Sequence, residues 1–279
     1  MIVVGMHRSG TSMVTRMLEE MGMFVGKEKT PDHEATFFLD LNSWILRQSG
    51  GSWDNPEPIR NLLRNPEVRS LVADYVGQRM KAPSAASYVG WPDYFRGITP
   101  QKMGSPWGWK DPRNTYTLPL WLDLFPEARI VHVYRHGVDI AGSLKARETM
   151  RMTRAREKYS RRRSLYRIVP KRGTFAGSVR CTNLEDALEL WASYLAEAKA
   201  HTLKLSDRAV ELKYEDFLAE PRRHLTHLAR FCGLPDDKSA IERMSATVDQ
   251  SRACAYRNDP ELRDLAEKHS GLLGEWGYG

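Results

Sequence analysis

The sequence has 279 residues, and none of its apolar runs approaches the ~20 residues needed to cross a bilayer. Its opening, Met1-Ile2-Val3-Val4-Gly5, is too short for the apolar core of a secretion signal and runs at once into a glycine turn. Together these predict a cytoplasmic protein without a transmembrane segment. Cysteine is scarce. Cys181, Cys232 and Cys254 are odd in number and widely spaced, which excludes a disulfide framework, a CxxC redox pair and a cysteine metal site. No internal repeat and no low-complexity tract is present, so a solenoid or array is excluded. Acidic residues run short in one place: between Lys145 and Arg172 there are twelve Lys/Arg and two acids, Glu148 and Glu157. The whole chain carries a net charge of +7, which favours anionic partners.

What is present reads as strands alternating with helices. Ile2-Val3-Val4 is a short β-branched run, followed by a glycine turn and by Met13, Met17, Leu18 and Met21 at helical spacing. Phe37, Phe38, Leu41, Ile45 and Leu46 form a second helical stripe that Gly50-Gly51 stops. Residues 61–81 read as helix, 82–106 as a loop or lid, and 118–125 as a short helix. Strands are expected at 128–134 and 210–212, with helices beginning near Val138, over 184–205, and around 225–232. The alternation predicts one α/β domain over 1–279, a central parallel sheet flanked by helices, with 145–182 as a basic insertion.

Gly5-Met6-His7-Arg8-Ser9-Gly10-Thr11-Ser12 lies between the first strand and the first helix. Backbone N–H groups of such a loop, with the positive end of the helix dipole, bind phosphate or its isosteres. Glycines let the backbone approach the anion, and Thr11 and Ser12 add hydroxyls. The nucleoside-triphosphate loop places Lys directly after its last glycine. Here that position is Thr11, and the cation is Arg8, inside the loop. A transferred phosphoryl group, densely charged, calls for Mg²⁺. A less charged sulfuryl group can be held by one arginine and several N–H donors, with no metal.

Val131-His132-Val133-Tyr134-Arg135 ends a strand in arginine, and Ser143 follows eight residues later. Arginine grips a phosphate bidentately and serine adds a bond. Arg8-Ser9-Gly10-Thr11 together with Arg135 and Ser143 resembles the sulfotransferases that use 3′-phosphoadenosine-5′-phosphosulfate (PAPS). The resemblance implies a P-loop-type fold in which the first loop, including His7, Arg8, Ser9, Gly10, Thr11 and Ser12, holds the 5′-phosphosulfate. It assigns the 3′-phosphate to Arg135 and Ser143. Lys213-Tyr214-Glu215-Asp216-Phe217, with Glu220-Pro221 and Cys232-Gly233-Leu234-Pro235, resembles the family's third block, where the tyrosine, here Tyr214, lies near the adenine. Lys110-Asp111-Pro112-Arg113 resembles a segment of the bacterial carbohydrate-type and tyrosylprotein branch, whose lysine points at the transfer site. The histidine of the small-phenol and steroid branch is missing from that segment, and its C-terminal glycine-rich loop is reduced to Gly274-Glu275-Trp276.

The acceptor hydroxyl must lose a proton to a carboxylate or imidazole. Glu34, expected to open a helical segment reaching Asn42, resembles the family's glutamate followed eight residues later by asparagine. His33, His7 and Asp40 are rivals. The expectation is therefore an enzyme with Arg8, Glu34 and Lys110 at the transferring group, and 3′,5′-ADP as its nucleotide product. The acceptor bears a hydroxyl: a carbohydrate or other small molecule is favoured, the charge is compatible with an anionic one, and sugar, lipid head group, protein tyrosine and small molecule all stay open, as does the oligomeric state. A P-loop kinase of a small metabolite is the alternative, though it wants the Walker lysine and a strand ending in an acid. A nucleic-acid module is weaker, because only Tyr159 and Tyr166 interrupt the basic stretch and stacking platforms are lacking.

Overall fold

The computed structural model describes residues 1–278. Four parallel strands form one sheet in the order β2-β1-β3-β4. They are β1 (Ile2–Val4), β2 (Trp109–Lys110), β3 (Ile130–Tyr134) and β4 (Ala209–Lys213). The register pairs Val3 with Lys110 and with Val131, and His132 with Glu211. Helices fill the connections: α1 (Thr11–Glu20), α2 (Thr36–Gln48), α3 (Ile59–Arg64), α4 (Pro66–Arg79), α5 (Ala86–Val89), α6 (Trp91–Phe95), α7 (Asn114–Leu124), α8 (Gly137–Arg162) and α9 (Leu184–Leu205). After β4 come α10 (Tyr214–Ala219), α11 (Pro221–Cys232), α12 (Lys238–Ala246), α13 (Pro260–Lys268) and α14 (Ser270–Glu275).

The chain groups into two compact units. The first comprises Met1–Arg135 and Tyr194–Ala253 and holds the whole sheet. The second runs from His136 to Ser193 and from Cys254 on. In the first unit, alternate strand residues face opposite sides. Val3, Val131, Val133 and Leu212 enter a core with Val14, Met17 and Leu18 of α1 and with Phe217, Leu225, Leu228 and Ile241 of α10, α11 and α12. On the other side Glu211, in register with His132, is bonded by Lys199 (2.9 Å) and Thr202 (2.7 Å) of α9. Both faces are therefore covered, as a parallel sheet requires. Beside β2, Phe38 of α2 stacks on Trp109 at 3.9 Å, and Trp121 of α7 meets Trp109 edge-on at 5.1 Å.

In the second unit, α8 and α9 pack closely at Gly137, where an added Cβ would stand 2.6 Å from the Trp191 ring. Asp139 of α8 accepts the Tyr256 N–H at 2.7 Å, and Lys145 pairs with Glu261 of α13 at 2.5 Å.

Several boundaries differ from the sequence reading, each for a local reason. Residues 61–81 divide into α3 and α4 because Asn65 caps a helix started by Pro66, accepting the Val68 N–H at 3.1 Å. The 82–106 segment carries α5, α6 and short 3₁₀ turns, so it is not a plain loop. α7 begins at Asn114 rather than 118, with Pro119 inside it: Asp111 starts the helix by accepting the Arg113 N–H at 2.9 Å. Glu34 does not open α2, which starts at Thr36; it lies in the closed turn before it.

Gly5 sets the exit from β1. Its φ is +139°, and a Cβ there would stand 2.2 Å from the Val133 carbonyl oxygen of β3. Gly5→Ala should therefore cost about 3 kcal/mol or more of unfolding free energy, through overpacking and backbone strain together. Urea denaturation measures it; a loss under about 1 kcal/mol would show that β1 and β3 are not held at that distance.

Candidate active site

The carboxyl ends of β1, β2, β3 and β4 all point to one edge of the sheet. The chain leaves β1 with β2 on one side and β3 on the other, the switch point where open α/β sheets bind ligands. The glycine loop sits at this point. Its turn needs left-handed backbone at Arg8 (φ 72°) and at Gly10 (φ 96°). Gly10 precedes α1, whose N-terminus receives no side-chain cap and has no acidic residue in its first turn. Its leading N–H groups are thus open to an anion. Ser9 is fully buried, its hydroxyl 3.1 Å from the Cβ position of Gly5 and without a hydrogen-bond partner among the described residues. Thr11 is buried and Arg8 is exposed. The Gly5 N–H donates to Thr115 Oγ1 of α7 at 3.2 Å.

Two residues distant in sequence close around this loop. A Cβ on Gly10 would stand 2.4 Å from Cδ2 of Tyr214, so the tyrosine ring, at the start of α10, lies directly on the loop. Arg135, leaving β3, puts its guanidinium 4.7 Å from the centre of the same ring and donates to the Arg252 carbonyl at 2.8 Å. The structure thus brings Gly10, Tyr214 and Arg135 together. Ser143 is on the second turn of α8, in the second unit.

On the β2 side of the loop, Lys110 Nζ lies 3.2 Å from Glu34 Oε1. Both are buried, the lysine side chain 2% exposed and the glutamate 11%. Burial pushes the Glu34 carboxyl above its ordinary range, and Asp111 adds to the rise, while Lys110 and Arg113 oppose it. The turn that carries Glu34 is closed on itself: the Thr30 N–H donates to the Glu34 carbonyl at 2.9 Å and the Glu34 N–H to Thr30 Oγ1 at 3.2 Å. It is also fastened to α1. Ser12 Oγ donates to the Asp32 carbonyl at 2.7 Å, and Glu19 holds Lys29 and His33, the latter at 2.6 Å. The rival bases are engaged elsewhere: the His33 ring is hydrogen-bonded to Glu19, the His7 ring packs edge-on against Trp53 at 4.6 Å, and Asp40 is exposed on α2.

Behind the pair is a polar network that sequence reasoning missed. Asn42 Nδ2 donates to Asp111 Oδ2 (2.9 Å) and Asn114 Oδ1 (2.7 Å). Asn42 Oδ1 accepts from Thr117 Oγ1 (2.6 Å) and Trp121 Nε1 (2.8 Å). All the hydrogen-bonding capacity of that amide is used. Asn114 in turn accepts from Trp109 Nε1 at 3.0 Å and donates to the Val3 carbonyl at 3.2 Å. Asp111 Oδ1 holds the Arg113 guanidinium at 3.0 Å. Asn42 and Asp111 had stood out only as members of family-like segments; the further signal in the sequence was the run of polar residues Asn114, Thr115 and Thr117 inside a helix otherwise rich in Leu, Tyr and Trp. A wider open groove of about 1040 Å³ in the same unit, lined by Val210, Arg222, His227 and Glu242 among others, holds none of these residues.

The family model described as "Sulfotransferase family" matches residues 1–238. The chain belongs to that family. The match spans the glycine loop, the Glu34–Lys110 pair, Arg135, Ser143 and Tyr214, so all of these residues fall within the family's own region. Among solved structures, the sulfotransferase domain from the curacin biosynthetic pathway is similar at 13% identity and a TM-score of 0.49, covering 96% of each chain. The sulfotransferase domain of the Synechococcus PCC 7002 olefin synthase is similar at 18% identity and a TM-score of 0.46, covering 96% of this chain and 93% of that one. Sulfotransferase STF9 from Mycobacterium avium gives 13% identity and a TM-score of 0.46 over 99% and 76%. No curated protein matches the chain. Among the described residues, no helix is long and apolar enough to cross a membrane.

The buried pair makes a pH-dependent prediction. Lys110→Met leaves Glu34 buried without its cation and raises its pKa further. A carboxyl raised in the folded state favours folding only where it is protonated, so the loss of stability should grow with pH. It should reach about 3–5 kcal/mol at pH 8 and shrink toward pH 5. Adding Glu34→Gln should recover much of it. Thermal or urea unfolding of the single and double variants across pH measures this; a deficit independent of pH would show that Lys110 does not hold down the Glu34 pKa.

Proposed function

We propose that this sulfotransferase takes its sulfuryl group from PAPS and delivers it to a hydroxyl of a carbohydrate or other small acceptor, releasing 3′,5′-ADP. The observation that carries the reading is the convergence of Gly10, Tyr214 and Arg135 on an uncapped helix N-terminus, at the sheet edge that also holds the Glu34–Lys110 pair.

The residues divide the work as follows. The amides after Gly10, including that of Ser12, the hydroxyls of Ser9 and Thr11, and Arg8 hold the 5′-phosphosulfate, with His7 beside them. Arg8, exposed and already turned by its left-handed backbone, balances the sulfuryl charge without a metal ion. Arg135 and Ser143 take the 3′-phosphate, and Tyr214 offers its ring to the adenine. Lys110 places an ammonium beside the transferring group or the bridging oxygen, where charge develops. Glu34 accepts the acceptor's proton. Its raised pKa suits that task, because a base with a pKa nearer neutrality has a greater driving force for taking up a proton. Lys110 fixes one of its oxygens and so its orientation.

A PAPS-dependent enzyme must distinguish its nucleotide from those lacking the 3′-phosphate. Calorimetry should show 3′,5′-ADP binding at least tenfold more tightly than 5′-AMP, since each charge-assisted bond to the 3′-phosphate contributes about 1.5–3 kcal/mol. Arg135→Ala should remove most of that difference. Equal affinity for the two nucleotides, or stabilisation by Mg-ATP instead, would remove the case for PAPS.

A further inference from the structure

The basic stretch lies in the second unit and takes no part in the site above. Of its twelve cations, all but Lys145, Arg147 and Lys171 are exposed. Of its two acids, Glu148 is buried. It is bonded there to Arg147 (2.8 Å), Arg151 (3.1 Å) and the N–H groups of Gly177 (2.8 Å) and Ser178 (3.1 Å). Glu157 is left as the stretch's one exposed acid against Arg154, Arg156, Lys158, Arg161 and Arg162 on the last turns of α8 and Arg163 just after it.

The same surface carries apolar side chains that the fold does not bury. Ile168 is 83% exposed, Val169 50%, Leu165 48% and Phe175 50%. They belong to a segment that folds back on α8: Tyr159 of the helix stacks on Tyr166 at 5.7 Å and meets Phe175 edge-on at 5.5 Å. Lys171 Nζ lies 4.2 Å from the Phe175 ring centre. Exposed aliphatic groups among exposed cations serve no internal purpose, and together they match one surface chemistry. Anionic headgroups attract the arginines, while Ile168 and Val169 enter the boundary between headgroups and acyl chains. Arginine and lysine stems can lie along such apolar material with their charges outside it. Nucleic acid fits less well, since it offers nothing to the aliphatic pair and the aromatic rings already stack on one another.

We infer that the end of α8 and residues 163–175 form a docking surface for an anionic lipid membrane, on which the enzyme rests peripherally. The test is sedimentation of the full chain with vesicles of phosphatidylcholine alone or mixed with phosphatidylserine. Binding should need phosphatidylserine and weaken with added salt. Reversing three charges, Arg161→Glu, Arg162→Glu and Arg163→Glu, should weaken it by more than about tenfold. Ile168→Ser with Val169→Ser, which keeps every charge, should weaken it by about tenfold or more. Both variants should keep the wild-type melting temperature. The inference is overturned if the wild type does not sediment with phosphatidylserine vesicles, or does so equally with neutral ones. It is also overturned if the aliphatic variant binds vesicles like the wild type; equal binding to random duplex DNA would then mark the surface as a general polyanion patch.

Discussion

The β2 side of the sheet edge, where Lys110 stands, depends on one buried amide. Asn42 is the point at which α2, β2 and α7 meet, and its two donors and its oxygen are all engaged. Through Asn114 the same network reaches the backbone of β1, and through Asp111 it reaches the residue next to Lys110. A buried polar group left without its partner costs about 1–3 kcal/mol, so a shift of any one element would strand several groups at once. The network therefore behaves as a position-fixing device: Lys110, one residue before Asp111, has little freedom to leave the edge of β2.

The second constraint works from the opposite side of the loop. Tyr214 lies on Gly10 with no room for a Cβ between them, and Arg135 lies over Tyr214. Three segments that end different strands are held in one stack by contact of ring, glycine and guanidinium. The glycine loop is thus gripped from one flank by β3 and β4 and from the other by the Ser12 and Glu19 contacts of the Glu34 turn. Rigid placement on both flanks is what an anion-binding loop requires, since its N–H groups act only when aimed in advance.

The sequence made the loop readable because its signals are local: a β-branched strand, two glycines, a cation and hydroxyls within a few residues. Arg135 was readable for the same reason, standing at the end of the apolar run of β3. The Asn42 network was not readable, because its members lie about seventy residues apart and no spacing rule joins them. β2 was missed because two residues, Trp109 and Lys110, are too few to show alternation. α7 starts four residues before the expected position, directly after the turn in which the Asp111 side chain accepts the Arg113 N–H. The exposure of Ile168 and Val169 was equally hidden, since apolar residues in a basic segment read the same whether folded in or left out.

Central to the proposed chemistry is Glu34, raised by burial and oriented by Lys110, as the base of a sulfuryl transfer whose nucleotide is held elsewhere. The most direct measurement is turnover of Glu34→Gln with radiolabelled donor and an acceptor found by screening, alongside its affinity for 3′,5′-ADP. The expected result is a loss of about 10²–10⁴ in kcat with nucleotide affinity unchanged. The acidic limb of the pH–rate profile, lying above the ordinary carboxylate range in the wild type, should disappear in the variant. Turnover near wild type, or a surviving limb that moves only on replacing His33 or His7, would contradict the assignment of Glu34 as the base.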